Sequence, residues 1–253
     1  MRRGGKYVVG GLIAVLGAGV LSSTAIAAPG QTQSVTGSFK PAKLPKKKRK
    51  PIALRVVTAT TCASCPAQVP SPATLARLHF DNAGRVYPGV TPKCSVAQLA
   101  AKNTEQAKAA CPRSIVGGGS AQVFAPTGPA SHVTFNPEVT AFNGTPRGGR
   151  PTLILHNYVA ELAYAQDLVG VYYRSTAGRD FRGGVRLDVT VPPLPLGAAL
   201  TKFITTVGNG FKRGYVKSNC SDRNHRLNVK SLFKFQDGSQ LPARDSQRCT
   251  IRR

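Results

Sequence analysis

The chain has 253 residues, of which 35 are Lys or Arg and only 10 are Asp or Glu, so its formal net charge is +25. No motif gathers these few acids into the carboxylate pair that a glycosidase uses. The lack of Trp and an aromatic content of 7% argue against specific, stacking-based recognition of nucleic acid, whereas non-specific nucleic-acid binding in vitro is expected from the charge.

The N-terminus has the features of a secretory signal peptide. The basic segment MRRGGK is followed by an uncharged, apolar and glycine-rich stretch over 7–21, and the small residues Ala-Ile-Ala stand at 25–27. The apolar stretch is too short for a comfortable transmembrane helix. We therefore predict a signal peptide over 1–27 and a mature protein that is secreted or associated with the cell envelope.

The segment that follows, 28–50, predicts a disordered basic linker. It is rich in Gly, Gln, Ser, Thr, Pro and Lys and has few large apolar residues, so it cannot bury enough surface to offset chain entropy. Export excludes a nuclear address for its last six residues, PKKKRK. Two interpretations remain, a solvated spacer and an electrostatic tether to a polyanion. The candidate polyanion-binding residues are Lys46, Lys47, Lys48, Arg49 and Lys50.

Basic charge extends beyond this run. Residues 201–253 contain twelve Lys or Arg against three Asp. Such a surface attracts anionic cell-wall polymers or lipid head groups, which are the partners that we predict, although the attraction is screened by salt and names no specific ligand. Two small clusters combine aromatic and basic residues, namely Tyr172, Tyr173 and Arg174, and Phe211, Lys212, Arg213 and Tyr215, but they are not enough to predict specific nucleic-acid recognition. The oligomeric state is not predicted.

The six cysteines indicate disulfides, because an even number in an exported chain is typical of a disulfide framework. Six cysteines allow fifteen connectivities, and the sequence does not choose among them. We predict local pairing. The predicted disulfides are Cys62–Cys65, Cys94–Cys111 and Cys220–Cys249.

The motif Cys62-Ala63-Ser64-Cys65 has the spacing of a thioredoxin-type redox site. That chemistry requires a helix N-terminus to lower the thiol pKa, and the prolines at 66, 70 and 72 argue against a helix there. A zinc site would need a second pair of ligands at close spacing, and none is evident. We therefore favour a structural disulfide, with a thiol oxidoreductase that uses Cys62 and Cys65 as an alternative, and we predict no metal site.

Alternation of apolar and polar residues predicts strands with one buried face. It is clearest over 76–80, 186–191 and 227–235, and turn signals such as Asn143-Gly144 separate the candidate strands. Further strands are predicted over 52–60, 121–124, 132–142, 152–158, 162–173, 203–207 and 215–218. Strands at this spacing predict an all-β domain over 51–253, similar to a β-sandwich or jelly roll.

One insert interrupts the strands. Ser95 with Gln98 and Asn103 with Gln106 match capping boxes, which predicts a short helical insert over 95–110. The disulfide predicted on its two sides would hold the insert against the sheet. Gly117-Gly118-Gly119, just after it, lacks the residues of a phosphate-binding loop and is interpreted as a bend or bulge.

Several stretches of the chain carry a resemblance to a known group. They are KLPKKKRKPIAL (43–54), RLHFD (77–81), CSVAQLA (94–100), AKAACPRSIVGGGSA (107–121), VTAFNG (139–144) and DSQRC (245–249). With the signal peptide, the chain resembles secreted proteins of soil actinobacteria, of the Solirubrobacter type, whose function is unknown. The resemblance implies a β-rich secreted domain and transfers no catalytic residue. The Cys62–Cys65 motif is an addition to the common pattern.

No catalytic motif is recognisable. The chain lacks the G-x-S-x-G elbow of serine hydrolases and the H-E-x-x-H of zinc proteases. His156 in LILHN is the best single candidate, although a polar-face or core histidine is the favoured interpretation. We therefore predict no catalytic residues and no cofactor. The predicted function is a non-catalytic binding or structural protein, and a secreted hydrolase built around His156 is the alternative.

Overall fold

The computed structural model describes residues 30–208, 210–220 and 225–252, so the predicted signal peptide lies outside the described part. The strands of that part, numbered β1 to β17 in chain order, are Gln31–Lys40, Lys43–Leu44, Lys50–Pro51, Ala53–Cys62, Ala73–Phe80, Arg85–Val86, Ile115–Gly128, Ser131–Phe135, Glu138–Arg147, Arg150–Val159, Tyr164–Arg174, Val185–Thr190, Ala199–Gly208, Val216–Ser218, Arg226–Phe235, Gln240–Arg248 and Thr250–Ile251. The helices α1 to α3 are Val96–Leu99, Thr104–Ala110 and Gly178–Phe181. Short 3-10 turns are formed by Pro66–Gln68, Pro88–Val90, Pro112–Ser114, Ala160–Leu162 and Pro195–Gly197.

Within the described ranges, twelve strands form one antiparallel sheet in the order β1-β4-β13-β7-β9-β10-β11-β12-β5-β15-β16, with β8 paired to β7. The sheet curls until its edge strands β1 and β16 face each other, and the Gly37 N–H donates to the Asp245 carboxylate at 2.9 Å. Opposite parts of the sheet therefore face each other across one core, as the layers of a sandwich do. The predicted all-β, sandwich-like fold is confirmed.

The inward side chains are those that the alternation selected. Leu78 of β5, Leu187 of β12 and Phe233 of β15 are buried in the same apolar core. Burial of a side chain of this size stabilises the fold by about 1.5–3 kcal/mol relative to leaving it exposed. Their neighbours along each strand point to the other face, which is why a period of two is visible in the sequence.

The prediction of a disordered linker over 28–50 is wrong from residue 31 onward. Gln31–Lys40 form the ten-residue strand β1, which pairs with β4 along its whole length. Val35 and Phe39 lie on the same side of this strand and are buried in the core. The average composition of the segment is polar, but a strand needs only one apolar face, and the pairing with β4 satisfies its backbone.

The basic run is also ordered. Leu44 is fully buried beside it, the Cys220 N–H donates to the Pro45 carbonyl at 3.0 Å, and the Asn219 side-chain amide donates to the Lys46 carbonyl at 2.8 Å. These contacts hold Lys46–Lys48 in an exposed bend between two short strands, β2 and β3. The run is therefore a fixed feature of the surface.

The helical insert is confirmed, together with both capping boxes. The Ser95 hydroxyl accepts the Gln98 N–H, and the Asn103 side chain accepts the Gln106 N–H. The insert covers the outer face of β9 and β10, where a second apolar cluster joins the two elements. Its buried members are Cys94, Leu99, Ala107, Cys111, Phe142 and Ile154.

All three predicted disulfides are present, and the structure has no free cysteine among the six. Local pairing is favoured because the partners are only 3, 17 and 29 residues apart, so the loops that they close are short. Cys62–Cys65 ends β4, Cys94–Cys111 brackets the insert, and Cys220–Cys249 joins two segments near the end of the chain.

The predicted turn at Asn143-Gly144 is wrong. Both residues lie inside β9, and Asn143 is fully buried with its side-chain amide donating to three backbone carbonyls within 88–92. The hairpin between β9 and β10 turns instead at Gly148-Gly149, whose φ angles of 53° and 71° favour glycine. The glycine run at 117–119 lies in β7, where the pairing with β9 shifts register beside it, as a bulge does.

Candidate anion-binding site

Three arginines converge on a cleft at one end of the sheet. β10 begins at Arg150, β11 ends at Arg174 and β12 begins at Val185, and because these strands are antiparallel neighbours their ends lie side by side. Arg85 comes from β6, part of a small three-stranded sheet with β3 and β14 that lies at this end. The cleft has a volume of about 490 Å³. None of its lining residues is acidic.

The Tyr173 ring forms part of one wall of the cleft, and two arginine side chains stack on it. The guanidinium of Arg150 lies 4.7 Å from the centre of the Tyr173 ring, and that of Arg186 lies 4.1 Å from it. Arg186 is also 3.2 Å from the Asp188 carboxylate. The same carboxylate forms a bidentate ion pair with Arg77, with both hydrogen bonds at 2.9 Å. Asp188 therefore balances the two arginines on the face beside the cleft.

The three arginines of the cleft differ from this pair. Among the described residues, neither Arg85 nor Arg150 nor Arg174 lies within ion-pair distance of a carboxylate. Arg85 is partly buried and interacts unfavourably with the charge of the exposed Arg174, and a bound anion would relieve that repulsion. Guanidinium groups donate in a planar fork that suits carboxylate and phosphate oxygens. The cleft thus presents donors of the kind that bind carboxylate or phosphate oxygens.

Arg85 shows this crowding most directly. Burial, followed by the charges of Arg49 and Arg174, lowers the pKa of Arg85 from its ordinary value. Its guanidinium donates to the Asn82 carbonyl at 3.0 Å and to the Gly84 carbonyl at 2.8 Å, so its position is fixed. An arginine with a lowered pKa is still charged at neutral pH. It remains able to bind an anion.

The predicted polyanion-binding run adjoins this cleft. Arg49 donates to the Asn82 carbonyl at 2.9 Å, the same oxygen that accepts from Arg85, and to the Ala83 carbonyl at 2.8 Å. Lys46, Lys47 and Lys48 are exposed in the bend before it, and Lys50 pairs with Ser218 in the small sheet. The run therefore extends the positive charge of the cleft along the surface.

His156, the best catalytic candidate in the sequence, does meet an acid. Its Nδ1 lies 2.8 Å from the Asp167 carboxylate on the neighbouring strand β11. The ring is fully buried, however, and its Nε2 has no hydrogen-bond partner among the described residues. His156 lies on the same face of β10 as Ile154, which packs under the helical insert. A substrate cannot contact the ring in this conformation.

Cys62 and Cys65 are joined at the end of β4 and are followed by the 3-10 turn Pro66–Gln68. Within that turn Ala67 has a positive φ of 52°, so the backbone does not continue as an α-helix. The helix dipole that lowers a redox thiol pKa is thus missing from this position. The arrangement matches the structural disulfide that the sequence favours.

Only part of the cleft is visible in the sequence. Tyr172, Tyr173 and Arg174 are consecutive and form a recognisable cluster, whereas no local pattern connects them with Arg85 or Arg150. These residues are far apart in the chain, and only the strand order brings them to one end of the sheet. The one local signal is the glycine turn before Arg150, which places that residue at the start of a strand.

Comparisons with family models, with curated proteins and with solved structures found no match to this chain. Within the described ranges, no helix has the length and apolar character needed to cross a membrane. The same ranges contain no group of three or more His, Cys, Asp or Glu side chains placed to hold a metal ion. The geometry of the cleft is therefore the basis for a functional proposal.

Proposed function

We propose that this is an exported, non-catalytic binding protein whose specific site is the arginine cleft and whose ligands present carboxylate or phosphate oxygens. One observation carries this proposal: Arg85, Arg150 and Arg174 share a cleft of about 490 Å³ without a carboxylate among its lining residues. Wall polymers and lipid head groups both offer such oxygens. The resemblance to secreted actinobacterial proteins and the signal peptide expected over 1–27 support a location outside the cytosol.

Other features are consistent with this function. Three disulfides are compatible with an oxidising compartment. The exposed lysines of the basic run, Lys46–Lys48, add a long-range attraction that raises the rate of encounter with a polyanion. A hydrolase built around His156 is a weaker proposal because its ring is fully buried. A thiol oxidoreductase at Cys62 and Cys65 lacks the helix that would activate the thiol.

The proposal can be tested by comparing two variants of equal net charge. Arg150→Gln/Arg174→Gln changes the cleft, and Arg55→Gln/Lys202→Gln changes two exposed cations that do not line it. Each is titrated at low and high salt with isolated cell-wall polymer and with vesicles containing phosphatidylglycerol. A site in the cleft predicts at least about tenfold weaker binding for the cleft variant than for the control, because each charge-assisted hydrogen bond contributes about 1.5–3 kcal/mol.

The titrant for which the cleft variant binds more weakly than the control shows whether the ligand is a cell-wall polymer or a lipid head group. In a third variant, Lys46–Lys48 are replaced by Gln. At low salt its affinity should fall in proportion to the charge removed, and at high salt it should bind as the wild type does. Equal losses in the cleft and control variants with every titrant would overturn the proposal, because only net charge would then matter. Single-stranded DNA serves as the reference for non-specific attraction, for which such equal losses are expected.

A further inference from the structure

An apolar cavity lies directly behind the arginine cleft. Its volume is about 110 Å³, and it is enclosed by the inward faces of strands from all around the curled sheet. Leu54, Leu78, Leu155, Leu187, Phe203 and Phe233 are among its lining residues. Hydroxyl groups are few in this lining, so the space offers little to hold water.

The cavity and the cleft share part of their walls. Arg85, Val86, Tyr172 and Val185 line both spaces. Val185 pairs with Phe80 at the start of β12, and the Phe80 side chain also lines the cavity. The cavity and the cleft are therefore adjacent, with these four residues between them.

The size of the cavity limits that apolar group. An engineered protein cavity of about 150 Å³, lined by similar residues, stays dry and binds benzene. A space of about 110 Å³ thus suits a short alkyl chain or a small ring. An apolar group of that size would form dispersion contacts with the lining side chains.

Tyr172 lines both the cavity and the cleft, and the buried Tyr215 lies beside it. Burial raises the pKa of Tyr172 to about 12, and burial together with the neighbouring Tyr172 raises that of Tyr215 well above its ordinary value, so both stay protonated. The Tyr172 hydroxyl is therefore a neutral polar group in the shared wall and adds no negative charge to the site.

We propose that the ligand is an amphiphilic organic anion, with a carboxylate or phosphate head bound by Arg85, Arg150 and Arg174 and a short apolar tail in the cavity behind them. This inference rests on the proposed function, since it requires that the cleft binds an anion. Beyond that function, it predicts that affinity rises with the length of the apolar tail. The combination of a cationic mouth and an apolar cavity distinguishes this site from a surface that attracts only charge.

Calorimetric titration with acetate, butanoate and hexanoate tests the tail. Each methylene that enters the cavity should strengthen binding about fourfold until the space is full. Hexanol, which has the tail without the head, should bind at least about tenfold more weakly than hexanoate, because it forms no charge-assisted hydrogen bonds. Hexyl phosphate in place of hexanoate shows which head group the cleft prefers.

Cavity-filling variants complete the test. Ala76→Leu fills the cavity, Val185→Phe narrows its mouth, and Ala243→Leu adds the same side chain at a partly buried position of β16 that lines neither space. Ala76→Leu, which lines the cavity but not the cleft, should abolish the dependence on tail length and keep acetate binding. Val185→Phe should also abolish the dependence on tail length, but it is not used to judge acetate binding because Val185 lines the cleft as well. The control should behave as wild type. Thermal unfolding confirms that each variant is folded, and two cavity variants are used in case one is not.

The outcomes separate the two proposals. Binding of all carboxylates with equal affinity in the wild type would overturn the tail site and leave the anion cleft in place. The same holds if a folded cavity variant keeps the full dependence on tail length. An absence of binding to acetate, hexanoate, hexyl phosphate and inorganic phosphate would overturn the cleft and the tail site together.

Discussion

The buried histidine on β5 allows a sharp prediction about pH. His79 lies on the outer face of the sheet, where its Nδ1 is 2.8 Å from the Ser175 hydroxyl oxygen and its ring meets Phe181 edge to face at 6.4 Å. Only 8% of the residue is exposed. Protonation would place a positive charge in this buried position, so we expect stability to fall in mild acid.

The surroundings of His79 set the size of the effect. Burial, and then the charges of Lys230, Arg186 and Arg77, lower the pKa of His79 from 6.5 to about 4, while Asp188 opposes the shift weakly. Between these two pH values the unfolded chain binds a proton that the folded protein does not bind. Stability is therefore lost as pH falls through this window, by about 2 kcal/mol between pH 7 and pH 5.

The measurement is urea unfolding followed by far-UV circular dichroism from pH 7 to pH 5, since the chain has no Trp. His79→Gln keeps a polar group near Ser175 but cannot titrate, so its curve should lose about 2 kcal/mol of pH dependence relative to wild type. His225→Gln, at an exposed histidine, is the control and should retain that dependence. Parallel curves for wild type and His79→Gln would refute the reasoning.

Two further predictions concern stability at neutral pH. Gly119→Ala should lower the free energy of unfolding by about 3 kcal/mol, because a Cβ there would overlap the Ile204 carbonyl of β13. The control Gly89→Ala has open space around the added Cβ and should change the free energy of unfolding by less than about 1 kcal/mol. Equal effects of the two, measured by urea unfolding, would contradict the close approach. Replacing Cys94 and Cys111 by Ser should lower the free energy of unfolding by about 3 kcal/mol, because the disulfide closes a 17-residue separation. The same change should speed amide hydrogen exchange in the helical insert. Unchanged exchange would show that the disulfide does not hold the insert.

The strand pattern and the capping boxes were predictable because each depends on residues that are close in the chain. The three disulfides agree with a preference for local pairing, although the sequence leaves fifteen connectivities open. Alternation selected Leu78 and Leu187 as inward residues before any partner strand was known. Strand β1 was missed for the opposite reason. Its apolar face has only two large side chains, Val35 and Phe39, and what stabilises it is pairing with β4, which no local pattern reveals.

By itself, then, the sequence determined most of the strands with one buried face and where the helical insert begins. Only the tertiary structure decided which strands are neighbours, and with them the meeting of Arg85, Arg150 and Arg174 and the burial of His156 beside Asp167. The physical reason is that local geometry follows from short-range backbone and side-chain preferences. A site made from distant residues follows from strand order and register, which the packing of the whole core selects.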